Sequence, residues 1–238
     1  MFINFWYAAA TCDEITETPF AIRMLGHDFV LFRDSKGAVH CLSDTCIHRG
    51  AALSKGKAVN DTIQCPYHGW QFNGDGRCVR MPSEGPDAKI PARAKVDSYP
   101  VVERFGLVHV FLGDLPEEDR TPIMDIPEWD DPAWRFTAPV PYEWNVNYMR
   151  STENGLDPAH AEFVHEGIFG AGGVDPNFSL APLDLVEDHT RVGVMYDTPV
   201  VGADDGAMVT AGTIAYGPSH YVTILNMSPT MGVRQYSY

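Results

Sequence analysis

Two cysteines and two histidines are the first residues in this chain with the types and spacing for chemistry. They fall as Cys46-Ile-His48 and, after sixteen intervening residues, Cys65-Pro-Tyr-His68. Two thiolates and two imidazoles suit either a tetrahedral zinc ion or a [2Fe–2S] cluster, in which the cysteines hold one iron and the histidines the other. A Cys-x-His pair is tighter than the usual zinc-finger spacing, which favours the cluster. Each pair sits between short apolar runs. The expectation is two tight loops between strands, pinching a metal centre from opposite sides.

A second constellation follows, Asn154-Gly-Leu-Asp157-Pro-Ala-His160-Ala-Glu-Phe-Val-His165. Asp157 and His160 are three apart and share a helix face. On a continuous helix His160 and His165 would point about 140° apart. They can share one metal only if the helix bends or ends between them. Pro158 just before and Gly167 just after make such a distortion reasonable.

The elements that must position these residues divide the chain in two. Up to residue 115 the pattern is short strands and turns, with Phe29-Val-Leu-Phe32 and Ala38-Val-His-Cys-Leu42 flanking the turn Asp34-Ser-Lys-Gly37. Thr62–Cys65, Trp70–Phe72 and Leu107–Leu112 read as further strands, so 1–115 is expected to be a small antiparallel β-domain. Residues 116–135, rich in proline and charge, read as a linker. Residues 136–238 read as α+β: helix from Trp144 to Val164 interrupted at Pro158, then strands over 191–196, 207–211 and 221–225.

The chain has 238 residues with 17 Lys+Arg against 32 Asp+Glu, a net charge of −15. That balance argues against nucleic-acid or anionic-membrane partners, and no apolar stretch approaches a membrane span. An odd cysteine count, five in all, makes a secreted disulfide scaffold a poor fit. Cys12, Cys41 and Cys78 are expected to be buried small hydrophobes, and the protein cytoplasmic. The aromatics Trp129, Trp134, Tyr142 and Trp144 read as core before substrate route.

Cys46-Ile-His-Arg-Gly50 with Cys65-Pro-Tyr-His-Gly-Trp-Gln-Phe72 resembles the Rieske [2Fe–2S] motif in its oxygenase form. The Asn154–His165 segment is similar to the N-x-x-D-x-x-H-x-x-x-x-H motif of Rieske non-haem iron oxygenases. The opening Trp6–Glu14 and Tyr99–Phe111 look most like the vanillate and dicamba O-demethylase branch.

The resemblance implies an all-β Rieske domain followed by an α+β, helix-grip-type catalytic domain. It implies Cys46, His48, Cys65 and His68 as cluster ligands, and His160 and His165 as two ligands of a mononuclear Fe(II). Asp157 is then the bridging carboxylate, reaching His160 and a cluster histidine, here His68, of an adjacent subunit. The cluster lacks the disulfide of the respiratory Rieske proteins, which places its potential toward the lower end of a window of about −150 to +300 mV.

The implied activity is that of a terminal oxygenase component. It would hydroxylate or demethylate a small cyclic substrate with O₂, taking electrons from NAD(P)H and flavin through a separate reductase or ferredoxin. A homotrimer is implied as well. The alternative is a Rieske electron-transfer protein without its own oxygenase activity. In the family the third iron ligand, a carboxylate, lies well over a hundred residues beyond the second histidine, yet only 73 residues follow His165. The expectation is a chain lacking its C-terminal part. Asp184, Asp188, Asp197, Asp204 and Asp205 offer no context that assigns the ligand.

Overall fold

The computed structural model describes residues 3–137, 144–165, 182–188, 191–199, 208–216, 220–228 and 231–237. It divides into two compact units, Met1–Val140 and Pro141–Tyr238.

The first unit is built from eleven described strands. In order they are β1 (Phe5–Thr11), β2 (Phe20–Met24), β3 (His27–Arg33), β4 (Val39–Ser43), β5 (Lys57–Val59), β6 (Thr62–Gln64), β7 (Gln71–Phe72), β8 (Cys78–Arg80), β9 (Ser98–Tyr99), β10 (Val101–Arg104) and β11 (Leu107–Leu112). They form three antiparallel sheets in the orders β1-β11-β10, β2-β3-β4-β9 and β5-β6-β7-β8. Three hairpins turn on two residues that both have positive φ: Leu25-Gly26, Asn60-Asp61 and Phe105-Gly106. Such turns carry the right-handed twist that neighbouring strands need.

The apolar run Phe29–Phe32 has a structural reason. Phe29 and Leu31 pack into a core shared with Cys41, Val108, Val110 and Leu112. Val30 and Phe32 pack on the opposite face with Leu42, Cys46, Leu53, Ile63, Cys65 and Phe72. A strand buried on both faces cannot alternate apolar with polar, so β3 reads as continuous apolar sequence. One face of this wall supports the β1-β11-β10 sheet, and the other supports Cys46 and Cys65.

Arg33 ties the end of β3 to its surroundings. Its guanidinium grips both oxygens of Glu103, at 2.7 and 2.9 Å, and donates to the carbonyls of Cys12, Ile15 and Gly37. Cys12 departs from expectation here. Its thiol is only half-buried and hydrogen-bonds to Glu103; burial, then that contact, pushes it up to about 11. Cys41 and Cys78 are buried, as expected of small hydrophobes. Trp129 packs against Phe105 and Phe136 yet stays 39% exposed, at the surface rather than in the core expected of it. Trp144, at 62% exposed, is not core, and Tyr142 lies outside the described residues.

The second unit contains α1 (Tyr148–Leu156), α2 (Ala161–Val164), and strands β12 (Asp184–Glu187), β13 (Val192–Pro199), β14 (Met208–Tyr216), β15 (His220–Ser228) and β16 (Met231–Ser237). The strands form one antiparallel meander in sequence order, with α1 against β14 and β15. The Asn147 side chain accepts from Met149 N–H and starts α1. The helix stops at Asp157, whose extended backbone is what the following Pro158 demands.

His109 on β11 is fully buried, and burial pulls its imidazole down to about 4 from 6.5. The unfolded chain takes up this proton at the ordinary value, the folded chain only near pH 4. The stability contribution is therefore complete above pH 6.5 and lost as the pH falls toward 4. A shift of this size corresponds to roughly 3 kcal/mol at its limit. Urea unfolding at pH 7 and pH 5 should show a larger loss for the wild type than for His109→Gln, which does not titrate.

Candidate metal centres

The two loops that carry the cysteines and histidines are closed by the same backbone device. Cys46 N–H donates to Ala51 C=O (2.9 Å), and Gly50 N–H donates back to Cys46 C=O (2.8 Å). In the second loop Cys65 N–H donates to Trp70 C=O (2.8 Å), and Gly69 N–H donates to Cys65 C=O (3.1 Å). Both Gly50 and Gly69 have φ of +72°, the left-handed conformation that glycine adopts without strain. A glycine four residues after each cysteine thus turns the chain back over its own thiol.

This closure brings the predicted residues together in pairs. The Cys46 and Cys65 thiols are buried and hydrogen-bond to each other. Burial pushes the Cys46 thiol up, while the backbone N–H groups of His48 and Arg49 pull the other way. The His48 and His68 rings lie 4.5 Å apart. His48 stacks on Trp70, with centroids 4.6 Å apart and planes 4° apart, and Tyr67 covers His68 at 3.9 Å. His68 is exposed; its imidazole is held below the usual range by desolvation, then by the His48 and Arg49 charges.

Sequence reading located the four residues but not the device that aims them. The repeated cysteine-plus-four glycine was the available signal. Trp70 stood within the motif without a role, and its stacking on His48 supplies one.

The set suits a two-iron cluster. The Nδ1 atom of His48 is buried without a hydrogen-bond partner. Leaving such a donor or acceptor unsatisfied is costly, and a metal ligand position removes that cost. Thiol stands with thiol and imidazole with imidazole.

In the second unit, His160 precedes the single turn of α2 and His165 follows it. Their rings are 5.4 Å apart. The short helix resolves the 140° problem, because neither histidine belongs to a continuous helix. The Asp157 carboxylate accepts Ala159 N–H at 2.8 Å, so one oxygen caps the bend. The other lies 3.7 Å from His160 Nδ1, which is buried without a hydrogen-bond partner. Asp188 binds Arg191 and Asp197 accepts from Thr210. Asp204 and Asp205 lie outside the described residues.

A β-unit with paired Cys/His loops is followed by an α+β unit with an Asp-His-His bend, the arrangement that the resemblance to Rieske oxygenases leads one to expect. Comparison with known families agrees: residues 5–100 match the Rieske [2Fe-2S] domain, and residues 144–236 match the vanillate O-demethylase oxygenase C-terminal domain. The chain belongs to the Rieske-type non-haem iron oxygenases.

Among relatives, it is 35% identical to the toluene-4-sulfonate monooxygenase system iron-sulfur subunit TsaM1 of Comamonas testosteroni, covering 91% of this chain and 60% of that protein. It is 40% identical to the dicamba O-demethylase oxygenase component of Stenotrophomonas maltophilia, covering 68% of this chain and 47% of that protein. The chain thus spans about half the length of these relatives. Among solved structures, NdmA of Pseudomonas putida with caffeine superposes at a TM-score of 0.81 and 27% identity, over 98% of this chain and 68% of that one. Dicamba monooxygenase bound to dicamba gives 0.76 and 26%, over 98% and 71%.

The two loop glycines should respond differently to substitution. Gly50→Ala meets open space and carries only the backbone cost, on the order of 1 kcal/mol. Gly69→Ala would also place a Cβ 3.1 Å from Gln64 Nε2 and Pro82 Cγ. Thermal unfolding should rank Gly69→Ala as the more damaging change.

Proposed function

We propose that this chain is the terminal oxygenase component of a multicomponent Rieske monooxygenase. Its reaction would be hydroxylation or oxidative demethylation of a small, cyclic or aromatic substrate with O₂. The observation that carries the reading is the thiol pair set beside the imidazole pair on two identically closed loops. Relatives named as demethylases of dicamba and of methylxanthine support the substrate class.

In this reading Cys46 and Cys65 hold one iron of the cluster, and His48 and His68 the other. His160 and His165 hold the mononuclear iron, and Asp157 is the bridging carboxylate. The cluster, when bound, supplies single electrons, and the mononuclear iron supplies the site of oxygen activation. The protein's own work is positional. Trp70 fixes the plane of His48, leaving its Nδ1 toward the buried side. Asp157, held by Ala159 N–H, sets the orientation of His160 and fixes which ring nitrogen carries the proton. Exposed His68 is the ligand open to an incoming or outgoing electron path.

The same proposal extends to organisation and partners. Residues 1–115 form the Rieske domain, 116–135 the linker and 136–238 the catalytic domain. A separate reductase or ferredoxin delivers electrons from NAD(P)H and flavin, the assembly is a homotrimer, and the location is cytoplasmic. Among the described residues no helix is long and apolar enough to cross a membrane.

Iron and sulfide analysis with visible and EPR spectra tests the reading. A brown protein with a Rieske spectrum is expected, and Cys46→Ser or Cys65→Ser should abolish it. His160→Ala or His165→Ala should remove the additional iron and leave that spectrum intact. A colourless, zinc-loaded wild type would overturn the proposal. A wild type with cluster iron alone would favour the electron-carrier alternative. Asp157→Asn should retain both centres yet oxidise its pre-reduced cluster far more slowly in a single turnover with O₂ and substrate. An unchanged rate would reduce Asp157 to the cap of the bend.

A further inference from the structure

The two ligand loops share their backbone closure but differ at the base. Below the second loop, Gln64 and Gln71 pair as neighbours in the β6–β7 ladder. Below the first, only an isolated bridge joins Thr45 to Ala52. The remaining closure is made by a side chain. Asp44 is buried, and its two carboxylate oxygens accept from Ser54 N–H and Ser54 Oγ–H, each at 2.6 Å. Its backbone joins the same clasp: Asp44 C=O accepts Leu53 N–H at 3.1 Å, and Asp44 N–H donates to Asp28 C=O at 3.0 Å.

A neutral side chain could close this loop. Burying a carboxylate instead is costly unless its charge has a use or a partner. Ser54 occupies both oxygens, and no ion pair among the described residues includes Asp44. One residue, Thr45, separates it from Cys46, at most about 7 Å between their Cα atoms. Across a poorly solvated interior, a negative charge on a residue so near a ligand in the chain opposes the addition of an electron.

We propose that Asp44 is a positioning residue for the cluster site with a second, electrostatic effect. It clasps the first ligand loop through Ser54, and its negative charge holds the reduction potential of the bound cluster down. This rests on the reading of Cys46, His48, Cys65 and His68 as cluster ligands, and deepens it.

The test is a mediated redox titration of the full chain, followed by the visible or EPR signal of the cluster. Asp44→Asn keeps the shape of the side chain and removes the charge, with its amide oxygen still accepting Ser54 N–H and its NH₂ donating to Ser54 Oγ in place of accepting from it; its potential should shift upward. Ser54→Ala keeps the charge and removes one bond. It should hold the wild-type potential while losing the cluster faster to heat or chelator. Asp44→Asn at the wild-type potential would overturn the proposal, as would Ser54→Ala shifted equally far. Should Asp44→Asn fail to hold a cluster, Asp44→Glu decides. A potential close to the wild type supports the role of charge, and a raised potential or a second loss of cluster overturns it. A wild type without a Rieske signal would instead defeat the ligand assignment itself.

Discussion

Each ligand loop is held by the amide of its own cysteine. Because Cys46 N–H and Cys65 N–H reach carbonyls five residues on, each chain segment must double back within six residues. Glycine at the fourth position after each cysteine makes this reversal possible. Everything else at the site depends on that reversal. It buries two thiols side by side, turns two imidazoles toward each other, and presents the tips of both loops at the surface. The histidine offset differs, two residues after Cys46 and three after Cys65. A shared loop geometry therefore yields unequal ligands, one lying against Trp70 and the other exposed.

The platform under these loops is β3 with its two apolar faces. Val30 and Phe32 support the cysteine side, while Phe29 and Leu31 face the β1-β11-β10 sheet. A change in the register of β3 by one residue would exchange these faces and displace both cores together. Arg33, the last residue of the strand, opposes such slippage through its contacts to Glu103 and three carbonyls.

Local signals were the legible ones. The Cys/His spacing, the strand pattern around it and the break at Pro158 could each be read from neighbouring residues, because the physics that produces them spans only a few positions. Asp44, between Ser43 and Thr45, looks like any polar turn residue, and its function depends on Ser54 ten residues away. Cys12 read as a hydrophobe because Glu103, its partner, lies far along the chain. The His160–His165 pair was legible only as a question of helix phase, answered by the single turn between them.

The pairing of β1 with β11 also orders events in time. Phe5 lies opposite Leu112, so 107 residues must be made before the first strand gains its partner. At ribosomal speeds of about 5–20 residues per second, that wait is roughly 5–20 s. The segment from Cys46 to His68 emerges well within the interval. Nascent chains therefore present the thiol loops while one wall of the adjoining core is still open. Supply of iron and sulfide during synthesis, rather than after release, would meet these loops before the sheet beside them is finished.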